Sequence, residues 1–431
     1  MKLNSRGVFW AILASFFVSG LAGLLYQVVW TRYLALFLGH TSYAVVAVLV
    51  AFMGGLAAGN ALLGSKVDSL RRPLFFYACL EAGIGLYAVV FPGYFEAVHQ
   101  GFLSVVRSIQ PEGLSRLALQ FLFAGITILL PTVLMGATLP VLTKFVTRSL
   151  SELRGKVAAL YAINSAGAVV GIILADWWWI PALGLESVVQ IGATMSLSIA
   201  LLAYVISVKS GEGFVIERPV AGSEALTESF TEREWKVALF AVGISGFVAM
   251  LYEVAWTRLL ALVLGSSTHA YSLMLATFIS GIAVGSGLVF VGRRAVNTLV
   301  AFAWAELALA GTLLVSLGFY DLLPYAFAHL ADWIARKPAA YPLYEFTQAL
   351  VCFAVLFPPA VCLGMTLPLA SRVATVDLQR AGRSVGRVFA VNTLGTVLGA
   401  AMTGLVFLPS LGLAVTLALG IGLNGLIGWV V

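Results

Sequence analysis

Charged side chains are scarce in this sequence. Only 10% of its 431 residues are charged, whereas a soluble domain of this length carries roughly 25%. Hydrophobic residues make up 61% of the chain, and its mean hydropathy is +1.00. Apolar runs of about 20 residues, enough to cross a bilayer, recur along the whole chain. The composition excludes a soluble globular protein and predicts an all-α integral membrane protein whose partner is the lipid bilayer.

Cysteine and histidine are also few. The cysteines lie in apolar segments, which indicates buried side chains and excludes a disulfide framework; they are Cys79, Cys352 and Cys362. The histidines show no ligand spacing; they are His40, His99, His269 and His329. The sequence therefore predicts no metal site and no cofactor. The net charge is +6, but no stretch combines basic residues with stacking aromatics, so we expect no nucleic acid partner.

Twelve apolar segments predict twelve transmembrane helices. We expect the first six at 8–38, 41–64, 73–95, 117–147, 155–180 and 186–208. We expect the other six at 237–264, 268–291, 298–320, 346–372, 384–408 and 412–431. Several exceed the ~20 residues that a crossing needs, which predicts tilt, breaks or projecting ends.

The basic residues predict the orientation of these helices. Most of the 25 lysines and arginines fall on one side of the predicted membrane. The positive-inside rule therefore places both termini in the cytoplasm, in a bacterial inner membrane. We expect three parts: a first six-helix repeat at 1–208, a cytoplasmic linker at 209–235 and a second six-helix repeat at 236–431.

Two stretches of the first half reappear in the second. SGLAGLLYQVVWTRYLALFLG from Ser19 matches SGFVAMLYEVAWTRLLALVLG from Ser245, and MGATLPVL from Met135 matches LGMTLPLA from Leu363. Shared Tyr, Trp, Thr, Arg and Pro at a nearly constant offset indicate a duplication. Six crossings per copy give both copies the same orientation, so the repeats are parallel, as in major-facilitator transporters.

The doubled Y-x-x-x-W-T-R segment, followed by L-G-S-S-T in the second copy, resembles the membrane region of bacterial fused spermidine synthase-like proteins, as does the later G-x-T-L-P. The resemblance covers nearly the whole chain. It implies a facilitator-like membrane domain followed by a cytoplasmic aminopropyltransferase-like domain. After the twelfth predicted span the sequence has no glycine-rich nucleotide loop and no acidic synthase motif. We expect either a member without the synthase domain or a fragment, and we assign no enzymatic activity to these residues.

Two carboxylates occupy matching places in the copies. Glu81 and Glu306 lie about eight residues into the third and ninth predicted spans. Placing a carboxylate inside the membrane costs free energy unless it is paired, protonated or in contact with a water-filled cavity. Such groups often mark transport pathways. Either both side chains line a substrate or proton pathway and bind a cation, or both make structural hydrogen bonds between helices.

The copies differ at one polar position, where Gln27 corresponds to Glu253. A single ionisable group in otherwise matched surroundings can bind a proton or a cationic substrate. The alternative for Glu253 is a local ion pair with Arg258. Asn164 and Asn392 are either further pathway groups or hydrogen-bonding contacts between helices.

Other matched residues are candidates for gating or for the interface between the halves. Arg32 and Arg258 either reach the outer membrane interface or contact polar groups of the opposite half. Pro140 and Pro368 lie inside predicted spans, where proline frees a carbonyl and favours a kink. The aromatic members of this group have the same spacing in both repeats; they are Tyr26, Tyr252, Trp30 and Trp256. Asp176 has no counterpart in the second copy, and we expect it at the membrane interface.

Two functions fit these features. Parallel repeats, paired carboxylates and interrupted helices favour a transporter-like module for a small solute. The resemblance to spermidine synthase-like proteins implies a cationic, polyamine-like solute. The alternative is a non-transporting anchor or scaffold for a cytoplasmic synthase-like enzyme or for other membrane subunits.

Overall fold

A computed structural model gives the fold of this chain. It describes residues 5–38, 42–210, 229–264, 268–292, 297–319, 322, 325–326, 328–329, 332 and 341–431. His40 and most of the predicted linker lie outside the described residues.

The described residues form twelve long helices, which confirms the predicted number. The first half contains α1 (Ser5–Leu38), α2 (Ser42–Leu62), α3 (Pro73–Ile109), α4 (Gly113–Val146), α5 (Leu150–Ile173) and α6 (Ile180–Ser210). The second half contains α7 (Glu232–Leu264), α8 (Thr268–Val291), α9 (Thr298–Gly318), α10 (Tyr341–Val373), α11 (Ala381–Met402) and α12 (Leu408–Val430). We call the surface where α1 begins and α12 ends the terminal face, and the other surface the distal face.

One predicted boundary is clearly wrong. The sequence predicts that the third span ends at residue 95, but α3 continues to Ile109. The extension holds because Phe102 is buried and its ring packs on that of Phe123 in α4, at 5.3 Å between centroids. The prediction followed hydropathy alone, which falls where the helix leaves the apolar region.

Glycines break two helical stretches that are too long for one crossing. The stretches Leu150–Lys209 and Leu378–Val430 contain 60 and 53 residues. The first is interrupted at Gly184 and the second at Gly412, with φ of 79° and 75°. Positive φ is readily available only to glycine, so these two residues let the chain turn back into the membrane.

Helix packing repeats between the halves. In the first half α1 packs on α5 and α6, α2 on α4, and α3 on α4 and α6. The second half repeats these pairs, with α7 on α11 and α12, α8 on α10, and α9 on α10 and α12. The halves meet mainly through α5 against α8 and α2 against α11. The arrangement confirms two parallel six-helix repeats around an axis through the membrane.

Asparagines and glycines hold the fifth helix of each half against the first. Asn164 Nδ2 donates to the carbonyl of Phe16 at 3.1 Å, and Asn392 Nδ2 donates to that of Val242 at 3.0 Å. Small residues allow the backbones to come this close. Both asparagines therefore make the hydrogen-bonding contact between helices that the sequence left open, and a pathway role for them stays a prediction.

The matched prolines lie inside continuous helices, Pro140 in α4 and Pro368 in α10. Pro368 leaves the carbonyl four residues earlier, at Gly364, without its usual helical donor. Ser286 of α8 is buried, and its hydroxyl donates to this carbonyl at 2.7 Å. The carbonyl that Pro368 leaves free thus connects α10 to α8, through its hydrogen bond with Ser286.

Candidate functional site

An ion pair closes the distal face of the first half. Asp176 lies in the π-helical turn Leu174–Trp179 that follows α5, and its side chain is fully buried. The Arg32 guanidinium of α1 pairs with this carboxylate. The structure places Asp176 near the distal face but buried within the protein, because the irregular turn directs it inward against α1; its position at the membrane interface stays a prediction.

The same carboxylate reaches the second half. His269 Nδ1, from the beginning of α8, lies 2.6 Å from Asp176 Oδ2. The Trp177 ring lies against the His269 imidazole at 5.7 Å between centroids. Asp176 therefore joins α1, the turn after α5 and α8, and its contact with His269 crosses between the halves.

This contact has no equivalent on the other side of the pseudo-twofold axis. The position that corresponds to Asp176 is Gly404, and a Cβ there would meet the Val46 side chain of α2. Arg258, the counterpart of Arg32, is exposed near the distal end of α7. Its placement agrees with a side chain at the membrane interface, and its gating role stays a prediction.

A polar group lies at the centre of the molecule, between the halves. Gln27 of α1 and Glu253 of α7 are 3% and 4% exposed. The Tyr271 side chain of α8 faces both Gln27 and Glu253. Glu253 Oε1 has no hydrogen-bond partner among the described residues. Gln27 is five residues before Arg32, or about 7.5 Å along α1, so this group lies just inside the distal ion pair.

The aromatic candidates pack inside their own halves. Tyr26 stacks on Trp30 at 5.1 Å, and Tyr252 stacks on Trp256 at 5.6 Å. All four rings are buried. They support α1 and α7 from within each half, and an additional role in gating stays a prediction.

Glu81 lies inside the first half, between α1, α3 and α6. It is 1% exposed, and the Ser19 hydroxyl donates to its Oε1 at 2.6 Å. The hydroxyls of Tyr77 and Ser196 also face this carboxylate. Ser19 is 13 residues before Arg32 on α1, about 20 Å, so Glu81 and the distal ion pair are separate sites.

Glu306 occupies the matching place in the second half but lacks these partners. Its side chain is fully buried, and neither carboxylate oxygen has a hydrogen-bond partner among the described residues. Ser245 faces it from α7, as does Tyr252. Asn424 Nδ2 of α12 donates to the Tyr252 hydroxyl at 3.2 Å. Glu81 and Glu306 thus both lie within a half rather than between the halves.

A second contact joins the halves at the terminal face. Asp68, in the 3₁₀ turn Gly64–Ser69 after α2, accepts from the backbone N–H groups of Gly382 and Arg383 at 3.1 and 2.9 Å. These amides lie in the first turn of α11, where a helix favours a carboxylate. Lys144 Nζ holds the turn by donating to three of its carbonyls, those of Val67, Asp68 and Leu70. The contact could not be predicted from the sequence, because Asp68 lies 314 and 315 positions from its amide partners.

The three levels form a column along the inter-half contact. The Asp176–His269 contact, the Gln27 group and the terminal Asp68 contact each involve both halves. The described residues therefore join the halves near both faces, with a buried polar group between these contacts.

Comparison with known proteins supports the fold. No family model matches this chain. A bacterial homologue of the iron transporter ferroportin, in an outward-facing state, aligns with a TM-score of 0.65, 14% identity and coverage of 99% of this chain and 98% of that one. The Escherichia coli fucose:proton symporter aligns with a TM-score of 0.56 and 12% identity over 99% of both chains. The human organic anion transporter MFSD10 gives 0.55 and 16% over 99% of both.

These neighbours confirm the major-facilitator-like fold of a multi-pass membrane protein. One curated relative, a polyamine aminopropyltransferase of Oceanobacillus iheyensis, is 24% identical over 184 residues. The match covers 43% of this chain and only 32% of the relative's length. It agrees with the family resemblance over part of the chain, and membership of the fused family stays a prediction.

Proposed function

We propose that this chain carries a small cationic solute across the membrane and that Glu253 binds the solute between the halves. The observation that carries the proposal is a buried carboxylate with a free oxygen at the centre of a transporter fold. Its counterpart, Gln27, is neutral, so the pair supplies a single negative charge.

The central residues match the needs of an ammonium group. A cation that leaves water must regain opposite charge and hydrogen-bond acceptors. Glu253 supplies the charge, and the Gln27 carbonyl oxygen and Tyr271 hydroxyl supply acceptors. The Tyr271 ring adds a face that attracts cations. A polyamine-like solute is the specific form of this proposal, supported by the family resemblance and by the partial match to a polyamine aminopropyltransferase.

Uptake into proteoliposomes tests the proposal. The purified full chain is reconstituted, and entry of radiolabelled spermidine or putrescine is measured against protein-free vesicles. We expect Glu253→Gln to lower the initial rate at least tenfold, because it removes the negative charge that is proposed to bind the solute. Glu96→Gln is the matched control, since Glu96 is an exposed carboxylate on α3, and it should retain the wild-type rate.

Two results would count against it. Equal uptake by wild type and Glu253→Gln would remove Glu253 from the solute site. No uptake of any amine by folded wild-type protein, with either direction of a pH gradient, would favour the anchor or scaffold function instead.

A further inference from the structure

The two halves contain the same carboxylate pocket, but only the first-half carboxylate receives a hydrogen bond among the described residues. In the first half Ser19 donates to Glu81, the Ser196 hydroxyl faces the carboxylate, and the Tyr77 hydroxyl faces it without a hydrogen bond of its own. In the second half Ser245 corresponds to Ser19 and faces Glu306, yet its Oγ and both Glu306 oxygens lack hydrogen-bond partners among the described residues.

Two substitutions between the copies account for this difference. The position of Tyr77 is taken by Phe302, which is fully buried and has no hydroxyl to donate. The position of Ser196 is taken by Asn424, whose Nδ2 is used by Tyr252. The Asn424 Oδ1 atom is buried and also lacks a partner within the described part of the chain. The second-half pocket has therefore lost donors and gained an acceptor.

The composition of this pocket selects a ligand class. Four buried oxygen atoms lack donors: both of Glu306, one of Ser245 and one of Asn424. An ionised Glu306 supplies one negative charge, and none of the ion pairs among the described residues includes this residue. Oxygen ligands suit hard metal cations. One carboxylate neutralises a monovalent metal ion, whereas a divalent metal ion, which unlike a polyamine concentrates both charges on one atom, would keep uncompensated charge in this enclosed pocket.

We infer that Glu306, Ser245 and Asn424 form a binding site for one monovalent metal cation of the sodium type, inside the second half. The site is separate from the solute position at Glu253, which lies between the halves. The first-half pocket at Glu81 does not bind such an ion, because its own hydroxyls occupy the carboxylate.

A small cleft lies near this site. Its lining includes Trp256, Leu313, Ser316, Leu417 and Ile421, on the distal side of Glu306. Ile421 is three residues from Asn424 on α12, which is about one turn, but none of the proposed ligands lines the cleft.

Thermal unfolding of the purified full chain in detergent tests the inference. NaCl is titrated against choline chloride at constant ionic strength, so that only a specific cation effect remains. We expect a saturable rise in Tm with Na⁺ over choline, because an ion that binds only the folded state stabilises it. Glu306→Gln should abolish the rise, whereas Glu81→Gln, the matched change in the first half, should keep it.

Two further variants protect the test against misfolding of Glu306→Gln. Ser245→Ala should raise the half-saturating Na⁺ concentration about tenfold, and Phe302→Tyr should do the same by returning the hydroxyl that the first half has. A Na⁺ response that is unchanged in Glu306→Gln and Ser245→Ala overturns the site. A Tm that responds to pH through Glu306 but not to Na⁺ overturns the metal in favour of a proton.

The result is independent of the proposed transport function. The titration contains no amine solute, so a Na⁺ site can be present in a protein that shows no uptake. Conversely, Glu253→Gln should abolish uptake while leaving the Na⁺ response intact, which separates failure of one proposal from failure of the other.

Discussion

Some buried polar side chains, such as Glu81 and Glu306, match between the two copies, and others lie where the copies have diverged. When the two repeats are aligned, Gln27 corresponds to Glu253, Asp176 to Gly404, and Tyr77 to Phe302. Each difference places a charge or a hydroxyl on one side of the pseudo-twofold axis only. Matched apolar residues build the common scaffold, and the unmatched polar ones give each half its own chemistry.

The close packing of α6 against the stacked pair Tyr26 and Trp30 can be tested by a substitution at Gly192. A Cβ at Gly192 of α6 would lie 2.6 Å from Tyr26 Cε1. The Tyr26 ring cannot move freely because it stacks on Trp30. We expect Gly192→Ala to destabilise the protein by about 1–3 kcal/mol, measured by circular dichroism during unfolding in mixed micelles of mild detergent and dodecyl sulfate.

Gly125→Ala is the control for this variant. Gly125 lies in α4, and a Cβ there would meet no atom within 4 Å. That substitution should be neutral or slightly stabilising, since alanine favours helix more than glycine. Equal stability of the two variants would show that the Tyr26 ring does not hold its position against α6.

Sequence reasoning identified some of the functional candidates and missed others for a physical reason. Glu81, Glu253 and Glu306 were found because a carboxylate in an apolar segment is conspicuous by itself. Asp176 was noticed as an unmatched charge, but its partners could not be assigned, since Arg32 and His269 lie 144 and 93 positions away. A contact across the tertiary fold leaves no local pattern, and the only available signal was the lack of a counterpart in the repeat.

At the scale of the helix, prediction succeeded where hydropathy sets the boundary. The predicted spans for α2, α8 and α9 agree with the structure to within about two residues. The breaks at Gly184 and Gly412 fall within or next to the predicted gaps at 181–185 and 409–411, although hydropathy could not show that they depend on backbone conformation. Donors to carbonyls freed by proline come from other helices, and the sequence could not assign them.

The contact between α8 and α10 provides a test at this scale. Ser286→Ala leaves the Gly364 carbonyl buried without its donor, and we expect a loss of about 1–3 kcal/mol. Pro368→Ala restores an N–H that can donate to the same carbonyl within α10. Ser286→Ala should therefore cost much less in the Pro368→Ala background, as measured by a double-mutant cycle of unfolding free energies.

Ser280→Ala on the same helix is the comparison for this cycle. Its hydroxyl donates at 2.6 Å to the carbonyl of Ala276, one turn earlier in α8. Loss of this local bond should change stability little, with or without Pro368. Additive effects of Ser286→Ala and Pro368→Ala would mean that the serine does not compensate for the proline.

At the scale of the whole molecule, the two halves are joined near both faces. The distal contact is Asp176 with His269, and the terminal contact is Asp68 with the first turn of α11. A conformation in which the halves are joined at both faces can convert into two other conformations, each of which is open at one face. Removing one contact should favour the form that opens at that face.

Distances between spin labels test this expectation in the reconstituted chain. One label pair at Glu112 and Leu343 reports on the distal face, and another at Glu152 and Val376 reports on the terminal face; all four positions are exposed. Asp176→Asn should lengthen the distal distance, and Asp68→Asn should lengthen the terminal one. A coupling of about 1–3 kcal/mol shifts the populations roughly 5- to 150-fold, enough to be visible in the distance distributions.

The two variants act as controls for each other, because each should leave the other face closed. If both faces lengthen together in either variant, the contacts serve general stability, and the two ends do not open in alternation.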